Sequence, residues 1–326
     1  MIIPVHGLEA TDIMNDIYFN PEFIQLYGAP DPIDTLETPQ YKHGAAIRSI
    51  PGTDRTDMET PHGYGGPIAR NISDLKDGIH AWRERQERAG HVAEFIRLHP
   101  FFDAGALDGL FDHLMVNRET VIVDMSVSRE QHRAAYSKGT RHALRVAEQR
   151  LTVRDLAPNE GDILRRLHED MLARNKAPKE AYFQVDSYRR LVVAPWSTTF
   201  LAEGDNGPVA AACFLSSGMG LCHYHLAGGN EEARQTKANY LLLETAFEHF
   251  SAQGALWMHL GGGRTAAVDD PLFRFKTKFS PLRVRFYTAG LIFDRDTYGR
   301  LGGGDGGSRF LGYRHSAPSG VGTPSP

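Results

Sequence analysis

The run WSTTFLAEGDNGPVAAACFLSSGMGLCHYHLAGG, Trp196 to Gly229, limits the fold more than any other stretch. Two apolar segments flank Asp205-Asn206-Gly207, a turn sequence that tolerates positive φ and closes a β-hairpin. A third apolar segment follows at once. Upstream, LTVRDLA reads as a strand, and EGDILRRLHEDMLARN and YFQVDSYRRLVVAP read as helices. Downstream, EARQTKANYLLLETAFEHFSAQG is an amphipathic helix ended by Gly254. ALWMHLGGG is a further strand, and RVRFYTAGLIFDR adds one or two more. Helix, helix, three strands, helix, strand is an α/β order around mixed sheets.

The first half is built from similar pieces. Glycines flank Tyr64 in ETPHGYGGPIA, which suggests backbone that approaches something closely. ISDLKDGIHAWRERQERAG has helical spacing and a glycine stop, HVAEFIRLHP is a strand, DAGALDGLFDHLMV a short helix and ETVIVDMS a buried strand. Ser128 then N-caps one long basic helix carrying Arg129, Arg133, Lys138, Arg141, Arg145 and Arg150. That row is either a solvated face or a track for an anionic partner. From residue 304 to 326 the Gly/Ser/Pro composition predicts a disordered tail.

A net charge of -4 gives no global basic field of the kind that marks nucleic-acid binders, although a local patch is compatible with it. Cys213 and Cys222 lie in apolar strands and are expected as buried free thiols. Two cysteines build neither a disulfide framework nor a zinc site, and His223 and His225 lack an acidic or third histidine partner at ligand spacing. No metal is expected. The N-terminus does not read as a signal peptide and no apolar run has the length of a membrane span, so a cytoplasmic monomer is expected.

The chemistry gathers in LGGGRTAAVDDPLFRFKTKFSP, Leu260 to Pro281. Three glycines end an apolar strand, an acid pair follows, and Lys276 and Lys278 are interleaved with Phe273, Phe275 and Phe279. A lysine on an apolar strand, its stem fixed by phenylalanines, would be a compact positive charge held away from water.

HGYGGP, EFIRLHP, YHLAGG, ANYLLLETAFEHFSAQGALWMHLGGG and DPLFRFKTKFS together resemble the FemABX-like family, over roughly residues 60 to 301. This family has two tandem GNAT-type acyltransferase domains and includes the aminoacyltransferases of peptidoglycan interpeptide bridges. The resemblance implies a first domain of residues 1–150 plus about 287–303, a second of 151–286, and a strand within Thr288 to Leu301 that pairs with the N-terminal half. It also implies an amide-forming acyltransferase that uses no cofactor and takes aminoacyl-tRNA as co-substrate, with a small amine as acceptor.

Transferred onto this sequence, the family's Phe-Lys pair falls on Phe275 and Lys276. Lys276 would steady the donor's ester oxygen or terminal ribose and phosphate, Asp270 would orient it, act as a base or cap a turn, and Phe275 with Gly261, Gly262 and Gly263 would contact the donor. Arg174, Tyr224, Tyr64 and Arg97 would bind the acceptor. Where the peptidoglycan enzymes tend to carry an arginine in the glycine-proline turn, this chain has Tyr64-Gly65-Gly66-Pro67, which argues against an unmodified lipid-linked muropeptide acceptor. An acyl-CoA donor is the alternative, but the stretch between Gly229 and Gly254 contains no glycine for a phosphate-cradling loop. A non-catalytic GNAT-like binding protein is the second alternative.

Overall fold

The structure is a computed structural model that describes residues 5–28, 30–107, 109–218, 220–303 and 310–314. In chain order the helices are α1 (Ala10–Met14), α2 (Pro21–Gly28), α3 (Ile72–Ala89), α4 (Arg129–Ala135), α5 (Lys138–Arg150), α6 (Gly161–Arg174), α7 (Val185–Val193), α8 (Glu231–Gln235), α9 (Ala238–Ala252), α10 (Pro271–Lys276) and α11 (Arg295–Arg300). The strands are β1 (Ile33–Glu37), β2 (Tyr41–Ser49), β3 (Thr56–Glu59), β4 (Ile68–Ala69), β5 (Ala93–Arg97), β6 (His113–Asp124), β7 (Thr152–Asp155), β8 (Ser197–Gly204), β9 (Gly207–Ser216), β10 (Leu221–Gly229), β11 (Trp257–Gly261) and β12 (Arg283–Ile292).

The chain divides into two compact units. Unit 1 takes Met1–Ile2, Tyr27–Val116 and Tyr287–Pro326, and unit 2 takes Ile3–Leu26 and Asn117–Phe286. The division falls at 116/117, whereas the sequence reading put it at 150, and residues 3–26 go with the second unit. Helices α4 and α5 therefore belong to unit 2. The cause is packing: Leu144 and Ala147 of α5 join Leu242, Leu243 and Phe247 of α9 in one buried core.

In unit 1 the strands run β1-β2-β3-β5-β12, with β4 beside β2. Strand β12 returns from the end of the chain and pairs antiparallel with β5, from Thr288 opposite Arg97 to Ile292 opposite Ala93. Ala45–Ser49 of the apolar piece AAIRSI lie within β2. DAGALDGLFDHLMV is not a helix: only Ala104–Ala106 forms a helical turn, and β6 begins at His113. Part of the expected disordered tail lies outside the described residues, but Phe310 and Leu311 are buried against Ile50, Val92, Ala93 and Tyr298. Arg314 pairs with the fully buried Asp57. Gly/Pro composition missed this because two apolar side chains and one arginine suffice to anchor a short segment.

In unit 2 the order is β6-β11-β10-β9-β8-β7. All neighbours are antiparallel except β10 and β11, which are parallel. The predicted 205–207 hairpin joins β8 to β9, with Gly207 at φ 105. Val121, Phe200, Phe214, Met258, Leu260 and Phe279 fill the core. The basic helix is two helices, because Ser137 N-caps α5 after the backbone turns extended at Tyr136. The helix expected over EARQTKANYLLLETAFEHFSAQG also breaks, at Thr236–Lys237, into α8 and α9.

Candidate active site

Parallel strands expose a binding position where they stop pairing, because backbone groups and following loops are released on one side. The β10–β11 ladder is short, from Leu221 opposite Trp257 to His223 opposite His259. Both strands then continue with register shifts, β10 between Tyr224 and Leu226 and β11 between His259 and Gly261. The glycine turn begins at that point, with Gly261 at φ 77.

Lys276 is carried to the turn by a helix, not by the strand expected above. Asp270 caps it and Pro271 opens it, a strong helix start that overrides the strand-like alternation of FRFKTKF. The side chain is 7% exposed. Its Nζ donates to the Gly262 carbonyl at 2.8 Å and stands 5.7 Å from the centroid of the Tyr224 ring. Burial pulls the pKa down to about 7, Asp270 pushes it back up and Arg118 pushes it down. Near neutral pH the lysine is therefore present both as ammonium and as free amine. Phe275 meets Tyr240 and Phe279 edge to face at 5.1 and 5.4 Å, which fixes the helix against the core.

Asp270 is committed to five donors. Its Oδ1 accepts from the N–H groups of Leu272 and Phe273 at 2.9 and 3.1 Å. Its Oδ2 accepts from the N–H groups of Arg264 and Thr265 and from the Thr265 hydroxyl at 3.1, 3.0 and 3.2 Å. Burial alone would raise its pKa, but the Phe273, Thr265 and Arg264 N–H groups outweigh burial and hold it down to about 2. So weak a base does not take a proton from an amine. Of the roles considered for it, cap and organiser of the turn is the one its contacts support.

The glycines serve closeness. A Cβ on Gly263 would stand 2.5 Å from Asp270 Oδ1, and one on Gly262 would stand 2.8 Å from Arg118 Cδ. The carbonyls of Gly262 and Gly263 face Lys276 and Arg118, the latter donating from Nη1 at 2.7 Å. Sequence reasoning passed over Arg118 because NRETVIVD carries no motif around it.

The remaining candidates are scattered. Tyr224 shares the site through its ring and stacks on Phe214 at 5.4 Å. Arg174 ends α6 in the same unit and donates to the carbonyl of Gly229, the last residue of β10. Arg97 and Tyr64 lie in unit 1. Arg97 is engaged with Glu59 and with the Thr60 carbonyl at 2.6 Å. The close approach suspected around Tyr64 is internal: a Cβ on Gly66, at φ 76, would fall 2.6 Å from Ile96 Cγ2.

A second feature stands at the start of α9. Thr236 is right-handed and Lys237 left-handed, at φ -81 and 62. Such a pair can turn backbone N–H groups toward one point, but the Thr236 N–H is already taken by the Glu232 carbonyl at 2.9 Å. No side chain caps α9 behind it. Lys278 reaches the first turn of α9 and donates to the Tyr240 hydroxyl at 2.7 Å.

The basic row is thinner than it reads. Arg129 and Arg133 both grip buried Glu244, which also accepts from the Tyr136 hydroxyl at 2.6 Å. Arg141 donates to the Ala134 and Tyr136 carbonyls at the end of α4. Lys138, Arg145 and Arg150 remain exposed. Both cysteines are buried free thiols. His223 has an acidic partner after all, Asp16 at 2.8 Å, brought from far upstream. Among the described residues no helix is long and apolar enough to cross a membrane.

Comparison with known proteins bears on the fold. Residues 130–276 match the family described as Acetyltransferase (GNAT) domain. No curated protein matches the chain in sequence. Among solved structures, FemX is 11% identical with a TM-score of 0.65, covering 90% of this chain and 98% of its own. The C-terminal domain of a candidate lysylphosphatidylglycerol synthetase from Agrobacterium fabrum is 15% identical, TM-score 0.59, over 88% of this chain and 93% of its own. L-PGS from Bacillus licheniformis is 15% identical, TM-score 0.57, over 85% and 93%.

Proposed function

With the GNAT acyltransferase fold of the FemABX-like proteins as premise, we propose that this chain moves an aminoacyl group from aminoacyl-tRNA to the free amine of a small, anionic acceptor in the cytoplasm. One observation carries the proposal: a buried lysine, fixed on the Gly262 carbonyl and facing Tyr224, stands where β10 and β11 part. Two like-folded proteins bear the name of a synthetase for an aminoacylated lipid, which supports an aminoacyl donor.

In the reaction the acceptor amine attacks the donor ester carbonyl. A carbon–nitrogen bond forms, the carbonyl oxygen gains negative charge, and the ester bond to the terminal ribose oxygen then breaks. Lys276 enters as the free amine and takes the proton of the attacking nitrogen. The ammonium so formed stabilises the oxyanion and then gives its proton to the leaving ribose oxygen. Asp270 and the glycine turn hold it there. Arg174 and Tyr224, both in unit 2, remain residues proposed for the acceptor.

The second reading is an acyl-CoA donor; the uncapped start of α9 after the left-handed Lys237 would serve its diphosphate or a nucleic-acid phosphate alike. Transfer of radiolabelled amino acid from charged tRNA to a pool of small amines, with and without ribonuclease, separates the two. Ribonuclease-sensitive transfer is expected. Ribonuclease-insensitive transfer from acyl-CoA would establish the alternative. If neither donor is consumed, the chain is a binding protein on an acyltransferase fold.

A further inference from the structure

Two cations hold two successive carbonyls of one turn. Lys276 Nζ donates to Gly262 O at 2.8 Å and Arg118 Nη1 donates to Gly263 O at 2.7 Å. They arrive from different elements, the lysine from the end of α10 and the arginine from β6. Arg118 is itself fixed, since its Nε donates to Asn117 Oδ1 at 2.7 Å and its Cδ fills the space where Gly262 lacks a side chain.

We propose that Arg118 is a positioning residue for Lys276: it pins the carbonyl beside the one that holds the lysine and sets a permanent positive charge next to it, so that the lysine works as a neutral amine. The inference rests on Lys276 being the amine of the reacting site.

The surroundings of Lys276 specify this. The charged groups acting on the amine are Asp270, at the other end of α10, and Arg118 on β6. The face of Tyr224 covers it from β10, and its own phenol is pushed upward by burial, so it stays neutral. Asp270 favours the ammonium, yet its negative charge is spread over five donors. Arg118 opposes it with the positive charge of its guanidinium. Burial disfavours the charged lysine regardless of neighbours, and Arg118 adds to burial where Asp270 subtracts. A plain structural clamp would need only a donor to Gly263 O, which a neutral side chain supplies. The charge itself is what acts on the lysine.

The test is a titration of the full chain with lysines carbon-13 labelled at the ε position, the Lys276 signal being identified by its loss in Lys276→Met. Arg118→Gln keeps an N–H donor for the Gly263 carbonyl and removes the charge, and it is expected to raise the Lys276 midpoint by about one pH unit. Arg118→Lys keeps the charge and is expected to leave the midpoint near wild type. An unchanged midpoint in the Gln variant, or equal shifts in both variants, would overturn the proposal. Arg118→Met serves in place of the Gln variant should that one fail to fold. No substrate is involved, so this outcome is independent of the acyl-transfer reading. If the midpoint moves in the Gln variant while the pH profile of transfer does not, Arg118 tunes the lysine as inferred and it is the role of Lys276 in transfer that fails.

Discussion

Gly263 and Asp270 leave no room for an atom between them: a Cβ at position 263 would lie 2.5 Å from the aspartate's Oδ1 and 2.6 Å from its Cγ. The carboxylate cannot yield cheaply, because the same oxygen caps α10. Gly263→Ala should therefore cost about 1–3 kcal/mol in urea unfolding, the usual scale of overpacking. It should also lower transfer by displacing Lys276, while Gly299→Ala, which meets no atom within 4 Å, should do neither.

Asp270 itself separates capping from proton transfer. Asp270→Ala removes the cap and leaves buried N–H groups without a partner, and should cost about 2–3 kcal/mol. Asp270→Asn retains an acceptor oxygen and should keep most of the fold and measurable transfer. Loss of transfer in the Asn variant with the Lys276 titration unchanged would mean that the carboxylate takes part in the chemistry. Its folded pKa lies below the ordinary value, so its contribution to stability is complete above the unfolded value of 3.8 and fades as pH falls toward 2.

Lys276→Met keeps stem packing and removes the amine. Transfer should fall by about a hundredfold or more, the scale of one lost oxyanion donor. Stability should move the other way. The folded pKa of about 7 lies far below the unfolded 10.5, so between those values the unfolded chain binds the extra proton and wild-type stability rises with pH. Relative to the Met variant, wild type should gain on the order of 4 kcal/mol between pH 7 and pH 10.5. A pH-independent difference in denaturation midpoint would show that the amine is charged in the folded protein.

His168 gives an acid-side counterpart remote from the glycine turn. It is buried, bonded through Nδ1 to the Tyr188 hydroxyl at 2.8 Å, and stacked on Phe183 at 5.8 Å. Burial pushes its pKa down to about 4 from 6.5. The unfolded chain thus takes up the proton first as pH falls, and stability is lost between pH 6.5 and pH 4. The loss should be about 3 kcal/mol and should vanish in His168→Gln. Thermal unfolding of both proteins across that range measures it.

Local signals carried well from sequence to structure. The turn residues Asp205-Asn206-Gly207, the Gly90 stop of α3 and the Ser128 cap all act where the chain itself says they do. The Phe-Lys motif was legible as a candidate, but its secondary structure was not. Alternating aromatic and basic residues have strand periodicity, and the Asp270-Pro271 start six residues earlier decides for a helix. Arg118 and Asp16 were invisible because their partners are far along the chain and nothing local marks them. Arg129 and Arg133 looked like free charges for the same reason, since Glu244 lies more than a hundred positions away. The left-handed turn at Lys237 was missed because left-handed backbone was sought only at glycine.

The path of β12 has a consequence for synthesis. Unit 1 obtains its β12 strand, and the anchoring Phe310, Leu311 and Arg314, from chain made after all of unit 2. Unit 2 needs nothing beyond Phe286. On the ribosome the order of completion is therefore inverted: the portion translated early must wait, with the edge of β5 unpaired, while the later portion closes. Ribosome-bound chains arrested once Phe286 has emerged but before Tyr287–Ile292 should show protection of residues 3–26 and 117–286 and cleavage within 27–116, and such arrested chains are where chaperones would find this protein.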